Sequence, residues 1–555
     1  MAGNEQFDYI IVGAGSAGCV LANRLSEDAN VKVLLVEAGK SDRHPWISLP
    51  LKFRDLMTVK RWNWGYDTEP EPFLDNRSIY VPRGRVVGGS SSINGMIYSR
   101  GHPSDYDHWR QLGLSGWSHA DVLPYFKRAE GFCDGETPHH GGSGPLTVSK
   151  GDSDSVAHHT YLAAGKAAGF PTTDDLNGAN PEGFGRCDYT IGNGRRASAA
   201  RVYLRPALRR RNLTLVTGAM VGRVLFDGQG ENKRATGIAY RTDTGGEIIA
   251  TAEREVILSG GAYNSPHLLM VSGIGPAEHL REHGIAVVFD AKNVGKNLQD
   301  HVHVGVGYAT ESMKSFDSEL RADRLALNVL NWALFAKGPL CSLPVGAMAY
   351  LRTKEGLAAP DIEFLMNRVN PEAHIWFPGI RKPKGGYMGC RVILLHPESR
   401  GSVSLRSADP AAKAVIRHNF LSAPNDLATL RRGLKTARSV YASEPLKGML
   451  GNEVWPGAKI QSDDEIDAYI RQTAGLIYHP VGTCRMGADA DAVVDGDCRV
   501  NGVQNLRVID ASVMPTVPGG HTNAPTIMIA EKMADLMRGR NPLPPIEIEA
   551  RSQPN

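Results

Sequence analysis

Residues 7–37 read FDYIIVGAGSAGCVLANRLSEDANVKVLLVE. Phe7 to Val12 is a short apolar run rich in β-branched residues and reads as a strand. It breaks at Gly13-Ala14-Gly15-Ser16-Ala17-Gly18. Cys19 to Ser26 follows, with Val20, Leu21 and Leu25 on one helical face, and Val31 to Val36 is a second apolar run ending in Glu37. Strand, glycine turn, helix and strand within about 30 residues form the βαβ unit that the dinucleotide fingerprint requires. Gly13 permits the tight turn, Gly15 lets a pyrophosphate approach the backbone, and Gly18 lets helix and strand pack closely. Ser16 and Ala17 open a helix whose unpaired N–H groups and positive dipole end suit phosphate. Glu37 is placed to accept hydrogen bonds from ribose hydroxyls and to repel a 2′-phosphate, which argues against NADP.

The rest of the chain has to be consistent with that unit. At 555 residues, with 42% hydrophobic and 22% charged residues, it has the composition of a large globular protein rather than a disordered one. The net charge is +3, from 62 basic and 59 acidic residues, which gives no basic stripe for nucleic acid. Seven scattered cysteines without a CxxC pair imply free thiols and a cytoplasmic chain. The polar start, Met1 to Tyr9, lacks a signal-peptide pattern, and no run of 18 apolar residues occurs. The nearest approach, Leu327 to Leu351, reads as a buried helix plus loop, with a peripheral membrane contact as the alternative.

Further along, Arg61 to Gly101 is rich in Gly, Ser, Pro and aromatics, as expected of a functional loop region. Leu213 to Phe226 alternates as strands do, and Glu255 to Leu258 is a strand leading into a helix over Ser265 to Val271. Ile362 to Met366, Arg391 to Leu395 and Gly401 to Leu405 predict an antiparallel sheet with helices beside it. Ala524 to Met537 is helical, and 541–555 is expected to be a frayed tail.

Three further stretches carry chemistry. The loop Gly88-Gly89-Ser90-Ser91-Ser92-Ile93-Asn94-Gly95 is small enough to lie against a flat ring system and bond it through backbone N–H groups. His479 stands in IYHPVGTCRMG (477–487), held before Pro480 among glycines, and His521 stands in PGGHTNAPT (518–526) at the approach to a helix. Their spacing suggests one site without proving it. His301-x-His303 lacks a third ligand at zinc-like spacing, so no metal is expected. The pairs His139-His140 and His158-His159 lie in polar stretches and read as solvated. Neither a Gly-x-Ser-x-Gly elbow nor a P-loop occurs, which argues against hydrolase and P-loop chemistry.

Taken together, GAGSAG, RGRVVGGSSSINGMIYSRG (83–101), GGAYNSPHLLMVSGIGP (260–276), NVGKNLQDH (293–301), IYHPVGTCRMG and RVIDASVMPTVPGGHTNAPTIMIAEK (507–532) resemble the glucose–methanol–choline (GMC) flavoprotein oxidoreductases, in particular their bacterial alcohol and choline dehydrogenase-like branch. The resemblance implies an α/β (overall α+β) fold. In it a Rossmann-like FAD domain is built from 1–155, 195–309 and 471–540. A substrate domain, with an antiparallel sheet flanked by helices, comes from 156–194 and 310–470. It implies FAD as cofactor, held noncovalently because Ile93 occupies the position where some members attach FAD through histidine. It places Gly88, Gly89, Ser90, Asn94, Gly95 and Ile97 around the flavin and Val221 at the adenine end. Asp510, Ala511, Asn523 and Thr526 fall along the pyrophosphate and ring. Ser342, Leu343, Trp376 and Phe377 are expected to contribute to the substrate pocket.

The catalytic pair implied by the resemblance is His479 and His521. Choline-type members usually carry Asn at the second position, so His521 points to a more general alcohol. The expected reaction oxidises a primary alcohol to an aldehyde: neutral His479 takes the hydroxyl proton as hydride leaves for flavin N5, and His521 holds the oxygen. Electrons pass to a quinone or similar acceptor. The alternatives are an oxygen-using alcohol oxidase, a choline dehydrogenase, a non-oxidative lyase or photodecarboxylase on the same fold, and a nucleotide-binding protein without catalysis.

Overall fold

The structure is a computed structural model that describes residues 5–152, 155–228, 232–243, 245–311 and 316–548. Two seven-stranded sheets organise these residues. The first grows from the opening βαβ unit. Glu5–Val12 pairs in parallel with Val33–Glu37 on one side and with Glu247–Leu258 on the other, and Leu213–Thr217 extends the parallel set beyond Val33–Glu37. All five residues of Val33–Glu37 are buried, as expected where a parallel sheet is covered on both faces. The long strand Glu247–Leu258 changes partner along its length. Its first half pairs antiparallel with Arg234–Thr242, and its last residues pair in parallel with Leu506–Val508 from the far end of the chain.

The predicted glycine turn forms at the switch from Val12 to the helix Ser16–Leu25. Gly13 has φ of +101°, and a Cβ there would stand 2.5 Å from the Ser259 carbonyl oxygen. A Cβ on Gly18 would stand 1.9 Å from the Gly13 carbonyl oxygen, so helix and turn touch backbone to backbone. The last helix, Asn523–Met537, packs on Ser16–Leu25, and Ser16 Oγ donates to Asn523 Oδ1 at 2.8 Å, across 507 residues of chain.

The second sheet is antiparallel, in the order Glu453–Trp455, Val302–Thr310, Gly386–Leu394, Ile362–Asn367, Val345–Leu351 and Gly183–Gly185, with Gly475–Leu476 also on Val302–Thr310. Val302–Thr310 straddles the boundary expected at 309 and pairs wholly within this sheet. The helix Pro424–Tyr441 covers one face, where Leu430 and Leu434 share a core with Ile362, Phe364 and Val392. The opposite face looks toward the first sheet, and the functional cavity lies between them.

Four sequence expectations fail. Gly401–Leu405 contributes Ser402–Ser404, which pairs only with Val415–Arg417 in a separate hairpin. The helical part of the 327–351 stretch is not buried: Leu327, Leu330, Leu334 and Phe335 of the helix Ala322–Phe335 are 67%, 55%, 64% and 66% exposed, and only Trp332 of this helix is buried, whereas Ala347 to Leu351 are buried in the strand Val345–Leu351. Apolar content predicted a helix but did not say what would cover it. The supposedly solvated histidines include two buried ones. His140 bonds Glu130 and Asp175, and His158 bonds the Gly346 carbonyl at 3.0 Å. The start of the tail is anchored, since Leu543 N–H donates to Tyr125 Oη and Ile546 N–H to the Ala120 carbonyl, each at 3.0 Å. Residues 549–555 lie outside the described residues.

Candidate active site

A cavity of about 1190 Å³ runs from the glycine turn to the face of the antiparallel sheet. That exceeds the ~300–1,000 Å³ of an ordinary small-molecule site, as an extended dinucleotide plus a substrate requires. Its walls include Gly13, Gly15, Ser16, Ala17, Glu37, Gly89, Ser90, Asn94, Gly95, Ile97, Val221, Asp510, Ala511, Asn523 and Thr526, together with His479 and His521. Residues far apart in sequence thus share one chamber. Gly18 and Gly88 stand behind the wall. Gly88, φ +92°, donates its N–H to the Ala14 carbonyl, and a Cβ there would meet Ser92 Oγ at 2.2 Å. It shapes the loop that presents Gly89 and Ser90.

At the dinucleotide end two helix N-termini converge. Neither Gly15, before Ser16–Leu25, nor Thr522, before Asn523–Met537, provides a side-chain cap. The first-turn N–H groups are left for a ligand, and the Ser16–Asn523 bond holds the two ends together. A Cβ on Gly15 would meet nothing nearer than the Ser259 carbonyl oxygen at 3.8 Å, so the backbone is open to close approach. Glu37 accepts from Ala14 N–H at 2.8 Å and Gly39 N–H at 2.7 Å, and burial raises its carboxyl to about 7. The strand Ala219–Asp227 breaks register between Val221 and Arg223, turning Val221 toward the same end. Asp510 spends both oxygens on the protein. Oδ2 accepts from Gly261 N–H and Ser265 Oγ, and Oδ1 from Ser512 N–H and Oγ. It therefore organises the turn beneath a ligand.

The loop 88–97 is held from behind by Arg196, which the sequence did not single out. Its guanidinium donates to the carbonyls of Ile47, Ser91 and Asn94 and to Asn94 Oδ1. With no carboxylate partner, burial lowers it to about 9. An arginine inside a Gly- and Arg-rich stretch gives no sequence signal for such a role.

At the other end the two predicted histidines meet, with ring centroids 4.7 Å apart and planes at 74°. Gly482, φ +91°, lets the His479 loop turn tightly against Asn297, and His479 N–H donates to Asp300 Oδ1 at 2.7 Å. Tyr478, φ +71°, is fixed by its carbonyl, which accepts from Arg83 Nη2 at 2.7 Å. His521 Nε2 lies 3.2 Å from Glu363 Oε1 on the antiparallel sheet. A third imidazole, passed over in the sequence, completes the group: His301 Nδ1 is 3.0 Å from His479 Nδ1. A histidine in a His-x-His pair reads as a metal ligand or as bland, and only the fold brings it to a ring 178 residues away.

The protonation states follow from this packing. Burial first, then the nearness of His521, His301 and Arg83, holds His479 well below the ordinary histidine range. Burial first, then His396 and His521, lowers His301 to about 3. Both rings are neutral at neutral pH, so in the Nδ1–Nδ1 contact one donates and the other accepts. His301 Nε2 has no hydrogen-bond partner among the described residues. With His479 Nδ1–H as donor and His301 Nδ1 as acceptor, His479 carries its lone pair on Nε2; the opposite pair of tautomers reverses these roles.

Of the expected pocket loops only Leu343 lines the cavity. Trp376 turns its Nε1–H to the Asp317 carbonyl at 2.6 Å, Phe377 lies on the outer surface, and Ser342 is outside the lining. Among the described residues no group of three or more metal-ligating side chains occurs, and no helix is long and apolar enough to cross a membrane.

Comparison with known proteins agrees with this architecture. Profiles of the GMC oxidoreductase family match residues 7–303 and 397–530. An oxygen-dependent choline dehydrogenase of Brucella ovis is 44% identical over 540 residues, covering 97% of this chain and 96% of that one. Pyridoxine 4-oxidase from Mesorbium loti superposes with a TM-score of 0.84 at 32% identity, over 96% of this chain and 100% of the other. Formate oxidase of Aspergillus oryzae, in a variant bearing on modification of its FAD, gives 0.88 at 28% identity over 96% and 98%. With both family profiles in order and a full-length relative of this identity, the chain belongs to the GMC oxidoreductases, and its cofactor is FAD.

Proposed function

We propose that this protein oxidises an alcohol to the carbonyl compound, with His479 as general base and His521 as the group that holds the substrate oxygen. The observation that carries this reading is the neutral His479, its Nδ1 engaged by His301, beside His521 in the cavity that also carries the dinucleotide seat. Bound FAD supplies the hydride acceptor. The protein's part is to take the hydroxyl proton on His479 Nε2, to orient the oxygen on His521, backed by Glu363, and to exclude bulk water. An alcohol's proton is far too weakly acidic to leave unaided, so base assistance of about 10²–10⁴ in rate is the expected contribution. FAD is held noncovalently in this reading, since Ile93, buried on the cavity wall, offers no nucleophile.

The test is anaerobic reduction of the bound flavin by an alcohol series. His479→Ala should keep its yellow flavin spectrum and lose about 10²–10⁴ in reduction rate. A near-normal rate in that variant overturns the assignment, and no bleaching by any alcohol favours a lyase or photodecarboxylase.

For the reoxidising partner we favour a quinone met at a lipid surface. The exposed face of Ala322–Phe335 supports this, because the same helix sends Leu325 and Val329 to the cavity wall. The adjoining segment exposes Ile375, Phe377 and Ile380 at 54%, 43% and 85%, with Arg381 and Lys382 beside them. Apolar side chains ringed by cations suit an anionic bilayer. The name of the Brucella relative supports oxygen as acceptor and choline as substrate. Oxygen consumption against ubiquinone reduction under one alcohol separates the acceptors.

A further inference from the structure

The cavity face of the antiparallel sheet carries a cation that the reaction described above does not use. Arg391 lies in Gly386–Leu394, paired with Gly305 on one side and Leu365 on the other, one row from the Glu363–Ile393–His303 row. Residues two apart on a strand point to the same face about 7 Å apart, so Arg391 looks into the same chamber as Glu363, which supports His521. Arg391, Leu365, Gly305 and His303 all line the cavity. The side chain is accessible, yet protein encloses it closely enough for burial to lower its guanidinium below the ordinary arginine range. Arg391 forms part of the cavity wall.

Among the described residues, this guanidinium has neither a hydrogen-bond partner nor a carboxylate in ion-pair range. An enclosed arginine without a counter-ion is costly unless a ligand supplies one. The protein does not supply it elsewhere on the wall. Glu37 and Asp510 are bound by their own turns at the dinucleotide end, and Asp55 is paired with Lys52 at 2.5 Å. Among the described residues Arg54, a second cavity cation, bonds only the Pro371 carbonyl, and Arg83 only the carbonyls of Pro82 and Tyr478. Space for a ligand has been left beside Arg391: a Cβ on Gly305 would meet only Tyr469 Oη, at 4.0 Å. His303 Nδ1, one row away, is buried without a partner. A quaternary ammonium would meet Arg391, Arg54 and Arg83 on this wall, whereas Glu363, whose Oε1 faces His521, is not among the lining residues.

We propose that the substrate is an alcohol bearing a carboxylate, a hydroxy acid whose anionic end is held by Arg391 while its carbinol lies at His479 and His521. This rests on the alcohol-oxidising reading and narrows its substrate class. Paired N–H donors of a guanidinium match the two oxygens of a carboxylate, and a charge-assisted contact of this kind is worth about tenfold or more in affinity.

The test uses the holoenzyme and two readouts. In anaerobic flavin reduction, 6-hydroxyhexanoate should exceed 1-hexanol and choline in kcat/KM by about tenfold or more, chiefly through KM. Arg391→Gln should lose that preference with FAD still bound, and Arg391→Lys should recover part of it. Separately, hexanoate, which has no carbinol, should perturb the flavin spectrum of the wild type and bind at least about tenfold more weakly to Arg391→Gln. Equal or better use of choline or 1-hexanol, or a preference unchanged in Arg391→Gln, overturns the proposal. If hexanoate binds through Arg391 but no alcohol reduces the flavin, the carboxylate site stands and the alcohol reading falls. If alcohols reduce the flavin and hexanoate does not bind, the reverse holds.

Discussion

Among single residues, His301 has a positioning role in the proposed reaction, behind the His479 that would meet the substrate. In that reaction His479 needs its proton on Nδ1 to leave a lone pair on Nε2, and His301 Nδ1, 3.0 Å away, is the acceptor proposed for it. Partners of this kind are worth about 10–100-fold in activity where they have been removed from comparable sites. His301→Leu should therefore slow flavin reduction by about that factor without loss of FAD. His301→Asn, whose amide oxygen also accepts, should recover more of the rate than His301→Leu. Equal rates in the two variants would show that the ring matters only as packing. His479 and His521 were legible in sequence because glycines and prolines crowd around them. His301, Arg196 and Arg391 were not, because their roles depend on partners that only the fold brings near.

For elements, legibility follows locality. The opening strand, turn and helix are specified within one stretch, where Gly18 packs on the Gly13 carbonyl, although the backbone that crowds Gly13 itself comes from Ser259, far along the chain. The last helix was equally plain. What failed was the environment of elements. Gly401–Leu405 has a strand's composition but no room in the large sheet, and Ala322–Phe335 has a core helix's composition on an open surface. That openness makes a prediction at this scale. Replacing Leu327, Leu330, Leu334 and Phe335 together with serine removes little buried area, so the thermal midpoint should change by no more than a few degrees. Co-sedimentation with vesicles rich in anionic lipid should fall markedly in the same protein. Unchanged sedimentation would remove the lipid-surface reading.

The whole molecule carries neutral histidines in its interior, and this links stability to acid. His418 is buried, stacks on Phe420 with ring centroids 4.5 Å apart, meets Tyr263 Oη at 2.9 Å, and is lowered by burial to about 3. In the unfolded chain it takes up its proton near pH ~6.5. Between those values the unfolded state binds the additional proton. The stabilisation is therefore complete above about pH 6.5 and is lost as pH falls toward 3. Glu37 and Asp300, raised to about 7 by burial, act in the opposite sense: their contribution is complete below the ordinary carboxylate range and is lost as pH rises through 7. Thermal midpoints at pH 7 and 4.5 should thus lie closer together in His418→Gln than in the wild type. A wider gap in the variant would show the linkage to be wrong.

The bond between Ser16 and Asn523 has a consequence for biosynthesis. A ribosome delivers one half of the phosphate cradle almost at once and the other half only after some five hundred further residues have emerged. A nascent chain can therefore start its first sheet early, while Leu506–Val508 joins it only late, and until then has no complete berth for the coenzyme. Flavin loading belongs to the final moments of synthesis, and a message truncated shortly before Asn523 would yield a colourless protein.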